Sequence, residues 1–321
     1  MLSSSEHKFL SSCPITQTDE WAEFQKALGK DAVRLKGKGW SCLLIRQSTK
    51  LGDYWLTPYG PFLKDKDVLP EALGTIRTEA KRRSLSWVSV EPFGNGLYYN
   101  ARKLGLKKAG KAYNPAYTVV NDLSLAEAKR WSALSATFRN LINRAEKRGL
   151  SFRTSTEPKD IKLFTDMLGE VASRKKISLH NADYFKKQAE ILMPKGAAFL
   201  ELAYYEKKPV AGAIILQSGK VGHYAYAGSH PEARKAEAGT VLVWQAMQNA
   251  LGRGVRWFDL FGVAPPGAPT SHPWAGFSTF KRKFGGEDIA LGGTWHLPVN
   301  PGRYRAYRAS LPLMRRLQKI R

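Results

Sequence analysis

The residues best suited to chemistry fall in one stretch, Gly239 to Gly286. Within it Lys281, Arg282 and Lys283 stand between Phe280 and Phe284, and a loop rich in Pro and Gly, VAPPGAPTSHPWAG, separates them from Asp259. A lysine packed between aromatic rings beside the end of a core strand suits one task well. Its ammonium meets negative charge as it develops on a carbonyl oxygen. Asp259 offers a carboxylate at the same strand end, either as a general base or, more commonly at such a place, as a structural hydrogen-bond acceptor. Other chemistries lack their residues: there is no P-loop, no Gly-x-Ser-x-Gly elbow and no paired Cys/His set for zinc, so no metal site is expected. An acetyl-CoA enzyme needs a Gln/Arg-x-x-Gly-x-Gly/Ala turn whose amides grip the pyrophosphate. Here that place reads ARKAEAGT, with Arg234 and Gly239 at the wrong spacing.

The elements that must position these groups follow from periodicity. Val241, Leu242, Trp244, Ala246, Met247 and Leu251 fit a mostly buried helix, Gly252 and Gly254 end it, and Val255 to Phe261 read as a short buried strand. Upstream, SFRTS is a strand, Lys159 to Ala172 and Ala182 to Leu192 are helices, and Ala198 to Tyr205, Val210 to Gln217 and Val221 to Ala227 form a meander. Helix, helix, meander, helix, strand is the order of a GNAT-type acyltransferase fold. The first half carries a rougher copy. Thr18 or Asp19 caps a helix to Leu28, Val33 to Ile45 form a hairpin through Lys36-Gly-Lys-Gly39, and Tyr54 to Tyr59 form a strand. Asp67 to Arg83 are helical, with Leu69, Leu73, Ile76 and Ala80 facing inward, and Trp87 to Val90 and Tyr117 to Asn121 are strands. Leu97 to Leu106 are expected as a short helix and Ser124 to Arg148 as one long helix, with the first 15 residues poorly ordered. The fold class expected is therefore α/β (α+β), two tandem GNAT-like domains with mixed sheets flanked by helices. Their expected limits are residues 1–150, completed by a C-terminal helix at 297–321, and residues 151–296.

The chain has 321 residues, with 51 Lys and Arg against 27 Asp and Glu, a net charge of +24. This favours a polyanionic partner: nucleic acid, anionic lipid or a phosphorylated substrate. Cys13 and Cys42 are too few for a disulfide scaffold. No run approaches the ~18–20 apolar residues needed to span a bilayer, so a cytoplasmic protein with at most peripheral membrane contact is expected.

Phe258-Asp259-Leu260-Phe261-Gly262, followed by Phe280-Lys281-Arg282-Lys283-Phe284-Gly285, resembles the signature of the FemABX family. These are aminoacyl-tRNA-dependent transferases that extend the peptide side chain of peptidoglycan precursors. Tyr59-Gly-Pro, Glu91-Pro and the Arg-rich helix ending in Ala145-x-x-x-Gly149 agree with it, and the absence of sustained heptads suits its arm-less class. The resemblance implies that Lys281 stabilises the oxyanion. It implies that Tyr184 in NADYF, Tyr224 and Tyr226 in HYAYAG, Lys283, and Lys36 (or Lys38) bind the substrate and its diphosphate. His180 stands where a relative has arginine, a departure from the pattern. Aminoacyl-tRNA would be co-substrate, with no other cofactor, and UDP-MurNAc-pentapeptide or lipid II the acceptor, and a monomer is expected. A CoA-dependent N-acetyltransferase and a non-enzymatic RNA-binding protein are the alternatives.

Overall fold

The computed structural model describes residues 8–94, 101–110, 112–175 and 180–319. In chain order the helices are α1 (Asp19–Ala27), α2 (Leu69–Arg82), α3 (Glu127–Ala133), α4 (Ala136–Asn143), α5 (Ile161–Lys175), α6 (Ala182–Leu192), α7 (Glu232–Lys235), α8 (Ala238–Gly252), α9 (Ala275–Arg282) and α10 (Pro301–Lys319). The strands are β1 (Ala32–Gly37), β2 (Trp40–Gln47), β3 (Tyr54–Thr57), β4 (Phe62–Leu63), β5 (Trp87–Val90), β6 (Lys107–Lys108) and β7 (Tyr117–Asp122). They continue as β8 (Leu150–Ser155), β9 (Ala198–Tyr205), β10 (Lys208–Ser218), β11 (Val221–Ser229), β12 (Trp257–Asp259), β13 (Glu287–Ala290) and β14 (Trp295–Pro298). They make two compact units, one of residues 1–28 with 117–289, the other of 29–116 with 290–321. The division thus does not fall at residue 150: β7 is hydrogen-bonded to β12, and β14 returns to pair with β5.

The unit of residues 29–116 and 290–321 holds a mixed sheet in the order β1-β2-β3-β5-β14-β6, with β4 on β2. Strand alternation sends Trp55, Val88, Val90 and Leu297 to one face, where Leu69, Leu73, Ile76 and Ala80 of α2 cover them as expected. Tyr54 and Trp87 take the other face under Tyr304 and Tyr307 of α10, with Trp87 stacked on Tyr307 at 4.1 Å. The side chains of Leu313, Met314 and Leu317 and the expected helix over Leu97–Asn100 lie outside the described residues; 101–105 form turns.

The other unit has the sheet order β13-β7-β12-β11-β10-β9-β8, with β11 and β12 parallel. Helix α8 and α4 cover one face through Val241, Val243, Met247 and Phe138. Helix α5 lies against the opposite face, where Met167 and Phe164 come so near Gly212 that a Cβ there would meet them at 3.1 and 3.2 Å. Thr18 caps α1 by accepting from Trp21 N–H, and Phe24 packs edge-on against Tyr184 of α6 at 5.1 Å. Of the start expected to be poorly ordered, Phe9 and Ile15 are buried, while residues 1–7 lie outside the described residues.

The long helix expected over Ser124–Arg148 is broken into α3, α4 and a short 3-10 turn. Leu134 is extended, with ψ 144°, and Ser135 caps α4 by accepting from Phe138 N–H. A serine oxygen offers the orphan amides of a helix start the partner they lack. The Ser135 N–H is itself given to the Lys283 carbonyl.

Candidate active site

β12 ends at Asp259, 1% exposed, whose carboxylate has three donors. Phe261 N–H reaches Oδ1 at 2.7 Å, the Thr118 hydroxyl of β7 donates to the same oxygen, and His223 Nδ1 of β11 lies 2.8 Å from Oδ2. These are the contacts of a fixed acceptor that ties two neighbouring strands to the turn after β12. Pairing between β11 and β12 stops at this same register, His223 opposite Asp259, while β11 runs on to Ser229.

With its N–H held by Asp259, Phe261 turns through a left-handed φ of 59°. That conformation is costly for a residue with a Cβ and persists only where the surroundings impose it. The buried strand expected through Phe261 therefore stops at Asp259. The carbonyls of Phe261 and Gly262 then accept from Lys281 Nζ at 2.8 and 2.9 Å. An ammonium has three N–H donors, so one has no acceptor among the described residues. Burial lowers the Lys281 amine to about 8, and the negative charge of Asp259 opposes that fall.

Lys281 is carried on α9, a helix that follows the Pro- and Gly-rich loop. Ser278 is buried, its hydroxyl donating to Trp274 O and accepting from Ala264 N–H, both at 2.7 Å. Phe280 and Phe284 flank the lysine in sequence, but their rings turn to Phe138, with centroids 5.6 and 4.7 Å away. They fix the helix that carries the amine. Gly285 and Gly286 then turn the chain against β7 with φ of 76° and 90°; a Cβ on Gly286 would meet Val120 O at 2.6 Å. Lys283 is exposed, its ammonium 5.8 Å from the Phe138 ring.

Tyr184 and Tyr226 are brought together, hydroxyl to hydroxyl at 3.0 Å. Tyr224 is not with them. Ile214 pairs with Tyr226 and Ile215 with Tyr224, so Ala225 is an extra, bulged residue. Directly opposed residues share a face, and Ile214 and Ile215 point to opposite faces. The bulge thus sends Tyr226 toward Tyr184 and Phe185 on α6 and Tyr224 into the core beneath α8. Burial raises all three phenols, so each is a neutral hydroxyl. His180 lies flat on Tyr184, centroids 3.7 Å apart. Lys36 belongs to the other unit, exposed near the end of edge strand β1.

Sequence reasoning passed over Thr118, Ala225 and His223. His223 is 3% exposed, with Nε2 buried and without a hydrogen-bond partner among the described residues. Its partnership with Asp259 becomes visible only when β11 and β12 are known to be neighbours in parallel register.

The fold is that of the GNAT-type acyltransferases, in the tandem form expected: residues 132–275 match the Acetyltransferase (GNAT) domain family. The crystal structure of FemX is similar over 95% of this chain and 98% of its own, with a TM-score of 0.82 at 16% identity. The C-terminal domain of a putative lysylphosphatidylglycerol synthetase from Agrobacterium fabrum matches with a TM-score of 0.61, 16% identity and 96% of each chain. A tandem GNAT protein from the clavulanic acid biosynthesis pathway follows at 0.52 and 14% identity, over 82% of this chain and 80% of its own. No curated protein matches the sequence.

Proposed function

We propose that the protein is an aminoacyltransferase resembling the FemABX family, moving an amino acid from aminoacyl-tRNA to the stem-peptide amine of a peptidoglycan precursor. The observation that carries this reading is the Lys281 ammonium, held by two backbone carbonyls with one N–H left over. In the reaction the acceptor nitrogen bonds to the ester carbonyl carbon and the oxygen becomes anionic. Lys281 donates its remaining N–H to that oxygen. The carbonyl reforms as the bond to the ribose oxygen breaks, and the ribose oxygen leaves with the proton lost by the nitrogen. Electrostatic help of this kind needs no covalent intermediate.

The whole-chain likeness to FemX supports the reading, as does the name of the lysylphosphatidylglycerol synthetase neighbour, although neither carries a substrate over by itself. Where a CoA enzyme offers free amides, this chain makes α7 and places Glu237 at the start of α8, its carboxylate paired with Arg148. An acidic group at a helix N-terminus disfavours a pyrophosphate there. Tyr184 and Tyr226 supply neutral hydroxyls for the acceptor. No helix among the described residues is long and apolar enough to cross a membrane.

The test is incubation with charged tRNA and either UDP-MurNAc-pentapeptide or lipid II, read by mass spectrometry. One amino-acid mass added to the acceptor supports the proposal. Acetyl-CoA turnover with no aminoacyl product overturns it.

A further inference from the structure

Two large rings stand in solvent beside the lysine: Trp274 is 41% and Phe277 63% exposed. They are the only large aromatic side chains so exposed among the described residues of their unit. Trp274 is the cap of α9, and positions 274, 277 and 281 follow one another along a single helical stripe. At 1.5 Å per residue the stripe measures roughly 10 Å from Trp274 to Lys281, about three steps of a stacked single strand at 3.4 Å each. The Ser278 ties to Trp274 O and Ala264 N–H hold the stripe rigid, so the exposure is built in. Residues 262–286 contain three Lys and Arg and no Asp or Glu. Arg282 is held by Asp288, which leaves Lys283 exposed for a phosphate.

We infer that Trp274 and Phe277 form a stacking platform for the unpaired 3′ end of an RNA donor, which delivers the terminal ester to Lys281. The inference rests on the transferase reading above and names how its donor is held. Aromatic faces bind bases of any kind by stacking, and neighbouring cations follow the phosphates. A bilayer seated on the same rings would cover the approach to Lys281, so the surface suits RNA better than lipid.

The experiment uses the full chain, a fluorescein-labelled single-stranded RNA tetranucleotide and an aminoacylated RNA hairpin with an unpaired 3′ end. Trp274→Ala and Phe277→Ala should each weaken tetranucleotide binding between about 5- and 150-fold, with Phe277→Tyr retaining most of it. Both variants should raise KM for the aminoacylated hairpin while kcat at saturation stays close to that of the parent. Lys283→Ala should instead lower the salt slope of binding by about 0.7. Unchanged tetranucleotide affinity and KM in the ring variants, with transfer intact in the parent, overturns the platform and leaves the transferase reading standing. Loss of binding to phosphatidylglycerol vesicles with RNA affinity intact also overturns it, in favour of a membrane contact. A parent chain that takes no amino acid from any charged RNA removes the transferase reading and the platform together.

Discussion

Replacing Lys281 with methionine separates what the amine does for the fold from what it does for the reaction. A pKa lowered from 10.5 to about 8 means that keeping the charge at neutral pH costs about 3 kcal/mol. Methionine removes that cost. It also leaves the carbonyls of Phe261 and Gly262 without their donor, at about 1–3 kcal/mol each when water does not reach them. The two effects oppose, so the net stability change at pH 7 should stay within about 2 kcal/mol, small enough for the variant to fold. The rate effect has no such compensation: removing one donor from a developing oxyanion costs about 10²–10³ in kcat. The folded-state pKa lies below the unfolded one, so the unfolded chain binds more protons between about 8 and 10.5, and parent stability relative to the methionine variant should rise across that window. Transfer assays from pH 6.5 to 9.5 should show the parent losing activity above about 8 as the ammonium is lost. Denaturant titrations at pH 7 and 10 give the second readout. If Lys281→Met keeps more than a tenth of the parent rate, or the stability difference does not move with pH, the reasoning about the buried cation is wrong.

Three further outcomes follow from the same geometry. Asp259→Asn removes the charge that holds the Lys281 pKa up, so the alkaline limb of the pH–rate profile should move below 8; an unmoved limb would mean that the carboxylate does not influence the amine. Deleting Ala225 removes only the extra residue of the bulge, so Tyr226 should stay opposite Ile214 and beside Tyr184, with Tyr224 still opposite Ile215. Urea unfolding should then change little; a loss of about 3–5 kcal/mol, that of removing a buried aromatic ring, would mean that β11 had slipped instead. Burial raises the pKa of Glu201, whose Oε1 has no partner among the described residues, so this group loses stability as pH rises through its folded value. Glu201→Gln, which imitates the protonated acid, should therefore be more stable than the parent at pH 8, by about 1–3 kcal/mol, and equal to it near pH 4, as thermal melts will show.

Much of this was legible before any coordinates, for definite reasons. Period-3.6 and period-2 patterns located α2, α6, α8 and the meander, because those elements bury one face or are buried throughout. The pairing of Phe280, Lys281 and Phe284 marked a lysine whose burial lowers its pKa. The helix that carries Lys281 was not read from the sequence, because what secures it is a hydroxyl inside the fold, that of Ser278. The long helix after Ser124 failed for a similar reason: Ser135 had a better use as a cap, and its own N–H was claimed by Lys283, distant in sequence.

What the amino-acid order determined alone is whatever depends on neighbours a few residues apart: helix stripes, strand alternation, caps and turns, and hence the fold class. Only the tertiary structure decided which strands became neighbours. Parallel register put His223 against Asp259, the antiparallel neighbour β7 brought Thr118 to the same carboxylate, and a single bulged alanine sent Tyr224 and Tyr226 to opposite faces of one sheet. Burial did the rest, since the amine of Lys281 owes its lowered pKa to desolvation, which no local pattern of residues specifies.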